Sequence, residues 1–177
     1  MNFKVFSVAV CLVSLNLPVL ALAAQTGQIN ITGRVIETSC VLDTSSTNVN
    51  VVLPTVDKSQ LASAQSATGR TGFTLQVTDC PEDAKVSAAF LPDSNVNPYG
   101  NLVNSAANKA SNVEVQLLDQ NHTVININTD DNASQALRAV DINGKGSLQY
   151  FAQYFSQEGG ASGGDVSVMA NFMLTYE

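Results

Sequence analysis

The chain has no tryptophan, one histidine and only three cysteines among its 177 residues. Two of these cysteines, Cys40 and Cys80, together with His122 provide too few ligands for a structural zinc site. No nucleophile elbow, phosphate-binding loop or metal-binding histidine motif is present, and His122 lies in a turn-like polar stretch. The sequence therefore predicts that the protein is not an enzyme and holds no metal and no cofactor.

Basic residues are also scarce. The chain carries 8 lysines and arginines against 15 aspartates and glutamates, which gives a formal net charge of −7. An acidic surface of this kind repels the phosphates of nucleic acids and the headgroups of anionic membranes. We therefore expect neither as a partner.

Only one long apolar run occurs, at residues 5–22. Ala21 and Ala23 supply small residues at the two positions that a signal peptidase reads, and this pattern is typical of a secretory signal peptide cleaved before Ala24. A membrane anchor is the alternative, but Ser14, Asn16 and Pro18 interrupt the run and no basic stop-transfer cluster follows. We expect residues 1–23 to be removed and the rest of the chain not to insert into a membrane.

Removal of the signal peptide leaves two cysteines, Cys40 and Cys80. An even pair in an exported chain favours one disulfide over two buried free thiols. In the chain-entropy description, a bridge that closes a loop of this size stabilises the fold by roughly 4 kcal/mol.

Apolar residues alternate with polar ones along most of the chain, which is the pattern of strands with one buried face. Turn-forming residues separate these runs, so an antiparallel β-sandwich of one domain is predicted. The alanine-rich segments 60–68 and 104–111 fit either a helical turn or a loop. The alternating runs are residues 49–53, 73–77, 86–90, 113–117, 148–154 and 166–176.

The two ends of the expected mature chain carry unusual strands. Near the start, Ile29 and Ile31 alternate with polar residues at a position where chains ordinarily fray. The last run ends at Tyr176, one residue before the C-terminus. A short apolar strand at a free terminus must bury its face, either against its own domain or against another molecule.

Four motifs, in order along the chain, resemble the pilin subunits of chaperone–usher fimbriae of the type 1 family. The first is Ile-x-Ile-x-Gly-x-Val at 29–35, with Cys40 seven residues after the glycine. The second and third are FTLQVTDC at 73–80 and VEVQLLD at 113–119. The fourth is the run from Gly164 to the penultimate Tyr176.

This resemblance implies an all-β, immunoglobulin-like antiparallel sandwich that is incomplete. The implied sandwich lacks its last strand and is completed in trans by a donor strand. It also implies a donor-strand extension at 24–36 and a pilin domain at 37–177. The implied donor-strand residues are Gly27, Ile29, Ile31 and Gly33. The implied residues of the strand that a chaperone would contact are Gly164, Val166, Val168, Ala170, Phe172, Leu174 and Tyr176.

The implied function is that of a structural subunit of an adhesive fimbria on the bacterial surface, exported through the periplasm. Its expected partners are a periplasmic chaperone, an outer-membrane usher and neighbouring pilins in a head-to-tail polymer. The short stretch from Ala24 to Gly33 favours a minor or adaptor subunit over a long-armed major subunit.

The alternative is a self-contained secreted β-sandwich that binds a ligand in the manner of a lectin. Such sites often use surface aromatic residues. This chain has no tryptophan, and Tyr150 and Tyr154 share a strand face with expected core residues.

Overall fold

The computed structural model describes residues 28, 30–33, 39–129, 138–141 and 143–176. The regular elements in these ranges are nine strands and two short 3-10 turns, at Thr44–Ser46 and Lys58–Leu61. Neither of these turns is long and apolar enough to cross a membrane. The strands are β1 (Val41–Leu42), β2 (Ser66–Thr78), β3 (Lys85–Phe90), β4 (Leu102–Val103), β5 (Glu114–Leu118), β6 (Val124–Ile125), β7 (Arg138–Ala139), β8 (Gly146–Ser156) and β9 (Phe172–Tyr176).

The strands form two antiparallel sheets. The first has the order β1-β2-β8-β5-β4, with β6 also paired to β5. The second has the order β7-β3-β9. Neighbouring strands are often far apart in the sequence: β2, for example, pairs with β8.

The core lies between the two sheets. Inward-facing residues alternate with outward-facing ones along each strand, so both sheets contribute a layer of aliphatic and aromatic side chains. The buried residues of the main cluster are Cys40, Leu75, Val77, Val86, Ala88, Phe90, Leu102, Val115, Leu117, Ile125, Ile127, Leu148, Tyr150 and Ala152.

Four of the six alternating runs form paired strands where the sequence predicts them. They are the runs at 73–77, 86–90, 113–117 and 148–154, which lie in β2, β3, β5 and β8. The run at 166–176 is paired as a strand only over Phe172–Tyr176, and the run at 49–53 forms no ladder in the described part of the chain. Residues 60–68 are split between the second 3-10 turn and the start of β2, and residues 104–111 form a loop.

The predicted Cys40–Cys80 disulfide is present. It joins the residue before β1 to the residue two positions after β2, and the pair Val41–Thr78 extends the same connection into a sheet ladder. The start of the domain is therefore fixed to a central strand both covalently and by hydrogen bonds.

The chain divides into two compact units, Met1–Val35 and Ile36–Glu177. The second unit contains both sheets, the disulfide and the core. The first unit is described only at residues 28 and 30–33, which have no regular secondary structure. The predicted signal peptide at 1–23 lies outside the described residues.

Tyr150 connects the two sheets through the core. Its hydroxyl accepts a hydrogen bond from the Ala88 N–H at 3.0 Å and lies 3.4 Å from the Ala88 carbonyl, to which it can donate. The ring also packs edge-on against Phe90, with centroids 5.2 Å apart. Because Ala88 is fully buried, its backbone groups need this partner.

We expect Tyr150→Phe to lower the free energy of unfolding by about 1–3 kcal/mol, because the phenylalanine keeps the ring but leaves a buried backbone group unsatisfied. Urea denaturation of the oxidised protein measures this change. Tyr99→Phe is the matched control, since Tyr99 is 59% exposed and should change stability little. Equal stabilities for the two variants would contradict the role of the Tyr150 hydroxyl.

Several loops are held by aspartates that accept hydrogen bonds from nearby backbone N–H groups. The pKa of the Asp141 carboxyl is lowered chiefly by the N–H of Lys145 and then by that of Asn143. The pKa of Asp93 is lowered first by the N–H of Asn95 and then by the Asn171 side chain. The pKa values of Asp43 and Asp57 are lowered first by side-chain hydrogen bonds with Ser45 and Ser59, and then by the backbone N–H groups of the same two serines.

These depressed pKa values predict a loss of stability in acid. Each carboxylate favours the folded state above its ordinary pKa of 3.8, and this contribution disappears as the pH falls through the lower folded value. Asp141→Asn keeps an acceptor oxygen but removes one titrating group. We therefore expect its urea midpoint to fall less than that of the wild type between about pH 5 and about pH 3. An identical fall would contradict the assignment.

Candidate strand-acceptor site

The last twelve residues before the C-terminus form a row of apolar side chains that is only half covered. Burial alternates strictly along 165–174, with odd-numbered residues facing outward over 165–173 and even-numbered ones facing the core. The inward residues pack on the main core cluster, but none of them is fully buried. They are Val166, Val168, Ala170, Phe172, Leu174 and Tyr176.

The backbone of this segment is hydrogen-bonded on one side. The Leu91 N–H donates to the Asn171 carbonyl at 2.8 Å, and the Ser105 N–H donates to the Ser167 carbonyl at 2.9 Å. Antiparallel ladders alternate between residues that bond to one neighbour and residues that face the other way. The odd-numbered residues therefore bond to the domain, and the N–H and C=O groups of the even-numbered residues face away from it.

The pairing of β9 with β3 agrees with this assignment of odd- and even-numbered residues. Ala88 lies opposite Leu174, yet its N–H bonds to Tyr150 and not to Leu174. Among the described residues, β9 pairs only with β3, and no backbone hydrogen bond is made by Val166, Val168 or Ala170. The result is an open strand edge that lies beside a row of half-covered core residues.

A second half-covered row comes from residues 49–53. Val49, Val51 and Leu53 pack on the same core cluster and are half-buried, whereas residues 50, 52 and 54 are exposed. This alternation is that of a strand, but within the described residues the backbone of 48–56 makes no hydrogen bond. A strand is defined by backbone pairing with a neighbour. Residues 49–53 have no such neighbour among the described residues, so the predicted strand is absent there.

Gly164 stands where the open edge begins. A Cβ at this position would come within 2.5 Å of the Ala110 backbone nitrogen and 2.7 Å of the Lys109 carbonyl carbon. The next residue, Asp165, forms a β-bridge with Lys109. Glycine here allows the segment to cross closely over the 109–110 backbone before it runs along the domain.

Tyr176 ends the open edge. Burial raises the pKa of its hydroxyl, and a hydrogen bond with the Ser39 side chain lowers it by less. The hydroxyl donates to the Cys40 carbonyl at 3.1 Å. The penultimate residue of the chain is thus connected to the residue that carries the disulfide.

The predicted donor-strand residues are described only in part. Gly27 and Ile29 lie outside the described residues. Ile31 is 88% exposed and Gly33 is exposed.

Two parts of this region were not predicted from the sequence as site features: the row at 49–53 and the contact of Tyr176 with Cys40. The row could be found, because its alternation ends at Pro54 and resembles that of the other runs. The Tyr176 contact could not, because it joins residues at opposite ends of the domain.

The fold is that of a pilin. The crystal structure of the P pilus rod subunit PapA matches this chain with a TM-score of 0.60, over 79% of this chain and 100% of that one. Their sequences are 18% identical, so the likeness establishes the fold alone: an all-β, immunoglobulin-like sandwich.

The sequence profile described as "Fimbrial protein" matches residues 29–177. The F17 fimbrial protein of Escherichia coli is 35% identical over 164 residues, covering 89% of this chain and 91% of that protein. The major fimbrial subunit SMF-1 of Stenotrophomonas maltophilia (strain K279a) is 34% identical over 167 residues, covering 89% and 96%. The chain therefore belongs to the fimbrial protein family.

It is a structural subunit of a fimbria on the bacterial cell surface. The resemblance seen in the sequence motifs is confirmed. This family membership favours a fimbrial subunit over the alternative of a self-contained lectin-like binder.

The alternation of burial along β9 gives a matched pair of substitutions. We expect Leu174→Asp to destabilise the protein by about 2–4 kcal/mol, because it places a carboxylate in the row that packs on the core. Met173→Asp changes the adjacent residue, which is 53% exposed on the opposite face, and should cost at most about 0.5 kcal/mol. Urea denaturation compares the two, and a larger effect at residue 173 would contradict the assignment of faces.

Proposed function

We propose that the subunit polymerises by donor-strand exchange, with the open edge at 166–176 as the acceptor. The half-covered rows at 49–53 and 166–176 would line one groove, which a strand from another molecule fills. The observation that carries this proposal is the coincidence of a free backbone edge with inward apolar residues that stay half-exposed along the same segment.

The physics is that of β-strand addition. Main-chain hydrogen bonds to the open edge provide affinity, and alternate side chains that enter the groove provide specificity. The inserted strand also completes the core, since a side chain at every second position can cover the half-buried residues on either wall. An unfilled edge of this length is an aggregation hazard, which is a reason for a chaperone to cover it before assembly.

The proposed donor is the N-terminal extension at 24–36, with residues 37–177 as the domain that receives it and 1–23 as the cleaved signal peptide. Ile29 and Ile31 are spaced by two residues, so an extended backbone would direct both into the groove. Gly27 and Gly33 would allow close backbone approach at either end of this pair.

Donor and acceptor surfaces are different parts of the subunit, so the contact is head-to-tail and does not close into a ring. Repetition of the contact gives a fibre. A periplasmic chaperone would fill the groove first through the segment from Gly164 to Tyr176, and an outer-membrane usher would be the place of exchange. The position of the subunit in the fibre, as a minor or adaptor subunit, stays a prediction from the short arm.

The test is capture of a synthetic peptide. The oxidised protein, residues 24–177, is refolded with a fluorescent peptide of residues 24–36, and bound peptide is measured by native mass spectrometry and anisotropy. We expect a one-to-one complex that is more stable to urea than the protein alone, because the peptide completes the core. Peptides with Ile29→Asp or Ile31→Asp should bind at least about tenfold more weakly, since each places a charge in the apolar groove.

A peptide with Asn30→Asp is the matched control, because residue 30 would face outward and tolerate the same charge. Equal binding of all the peptides would show that capture is not strand insertion. A protein that folds as a stable monomer and captures none of them would overturn the proposed function.

A further inference from the structure

The C-terminal end of the open edge is connected to residue 40, which follows the proposed donor extension (24–36) in the chain. The Tyr176 hydroxyl donates to the Cys40 carbonyl at 3.1 Å. Cys40 is buried, and its disulfide partner Cys80 follows β2. Residues 39–41 therefore bind to two different elements of the domain, the end of β2 and the end of β9.

The two connections differ in kind. The disulfide and the Val41–Thr78 pair hold residues 40–41 to β2 whatever the state of the open edge. The Tyr176 contact depends on where the last residue of β9 lies. Within the described residues β9 has a strand neighbour on one side only, so its end is the less restrained of the two attachments.

A strand that fills the open edge would act on Tyr176 directly. The register opposite β3 places Val86 against Tyr176 in the same phase as Ala88 against Leu174. The backbone N–H and C=O of Tyr176 accordingly face the open edge. Pairing there would restrain the residue whose hydroxyl holds the Cys40 carbonyl.

We propose that Tyr176 is a positioning residue that couples the acceptor edge of a subunit to residues 39–41, the start of the domain that follows its own N-terminal extension in the chain. This inference rests on the proposed function. A neighbour's strand that pairs with the edge restrains the backbone of Tyr176. The hydrogen bond from the Tyr176 hydroxyl then restrains the backbone at Cys40. A subunit that has accepted a strand then presents its own extension from a fixed starting point.

The chemistry of the contact allows the hydroxyl to be tested apart from the ring. Tyr176→Phe keeps the aromatic ring, which packs on the core cluster, and removes only the donor to Cys40. Thr175→Val is the matched control. Its hydroxyl bonds to Ser87 at 2.8 Å on the neighbouring strand, so its loss also weakens β9 without affecting the contact with Cys40.

The measurement is backbone amide hydrogen exchange at residues 39–42, with and without saturating amounts of the unlabelled 24–36 peptide. The peptide shares no residue with this region, so the two signals are separate. In the wild type we expect the peptide to slow exchange by about fivefold, the scale of one net hydrogen bond. In Thr175→Val the slowing should persist, and in Tyr176→Phe it should be lost.

Native mass spectrometry of the same samples reports whether the edge is filled. Exchange that does not change in the wild type when the peptide is bound overturns the coupling, and so does equal slowing in Tyr176→Phe. If the wild type binds no peptide, the proposed function fails. The peptide-free samples then still test the hydrogen bond between Tyr176 and Cys40. The amides at 39–42 must exchange faster in Tyr176→Phe than in the wild type and in Thr175→Val.

Discussion

The structure depends on an imbalance between its two sheets. The sheet that contains β2 and β8 is long and fully paired along its centre, whereas the sheet of β3 and β9 ends in a strand with one neighbour in the described part of the chain. The core between them is therefore closed on one side and half-covered on the other. An apolar row in this state is costly in water, and the backbone beside it still has donors and acceptors to satisfy.

The features around the open side keep it usable without letting it collapse. Tyr150 reaches through the core to the backbone of Ala88. This contact holds β3 in place, although its two neighbours in the sheet, β7 and β9, are short. Gly164 allows the last segment to cross the 109–110 backbone and run straight along the domain. The disulfide and β1 hold the start of the domain to β2. These contacts leave open only the side of the domain for which we propose an inserted strand.

Much of this was accessible from the sequence, because alternation of apolar residues reports which face of a strand is buried. The runs that form β3, β5 and β8 were predicted from it. Pairing is a different property, since it depends on which backbones lie side by side. The residues from Val49 to Leu53 show the strand pattern but have no described partner, so the sequence predicts the face and not the ladder. Contacts across the whole chain, such as Tyr176 with Cys40, leave no local signal at all.

The same distinction explains why the two ends of the chain are informative together. Alternation at Ile29 and Ile31 requires a surface to cover, and alternation from Val166 to Tyr176 is followed by inward residues that remain half-exposed. The Ile31 side chain is exposed, and the row from Val166 to Tyr176 packs on a core that its own side chains only half cover. Within a single subunit either feature would be a defect of packing. In the proposed polymer each feature would supply what the other lacks, and the head-to-tail arrangement would follow from their being on different parts of the molecule.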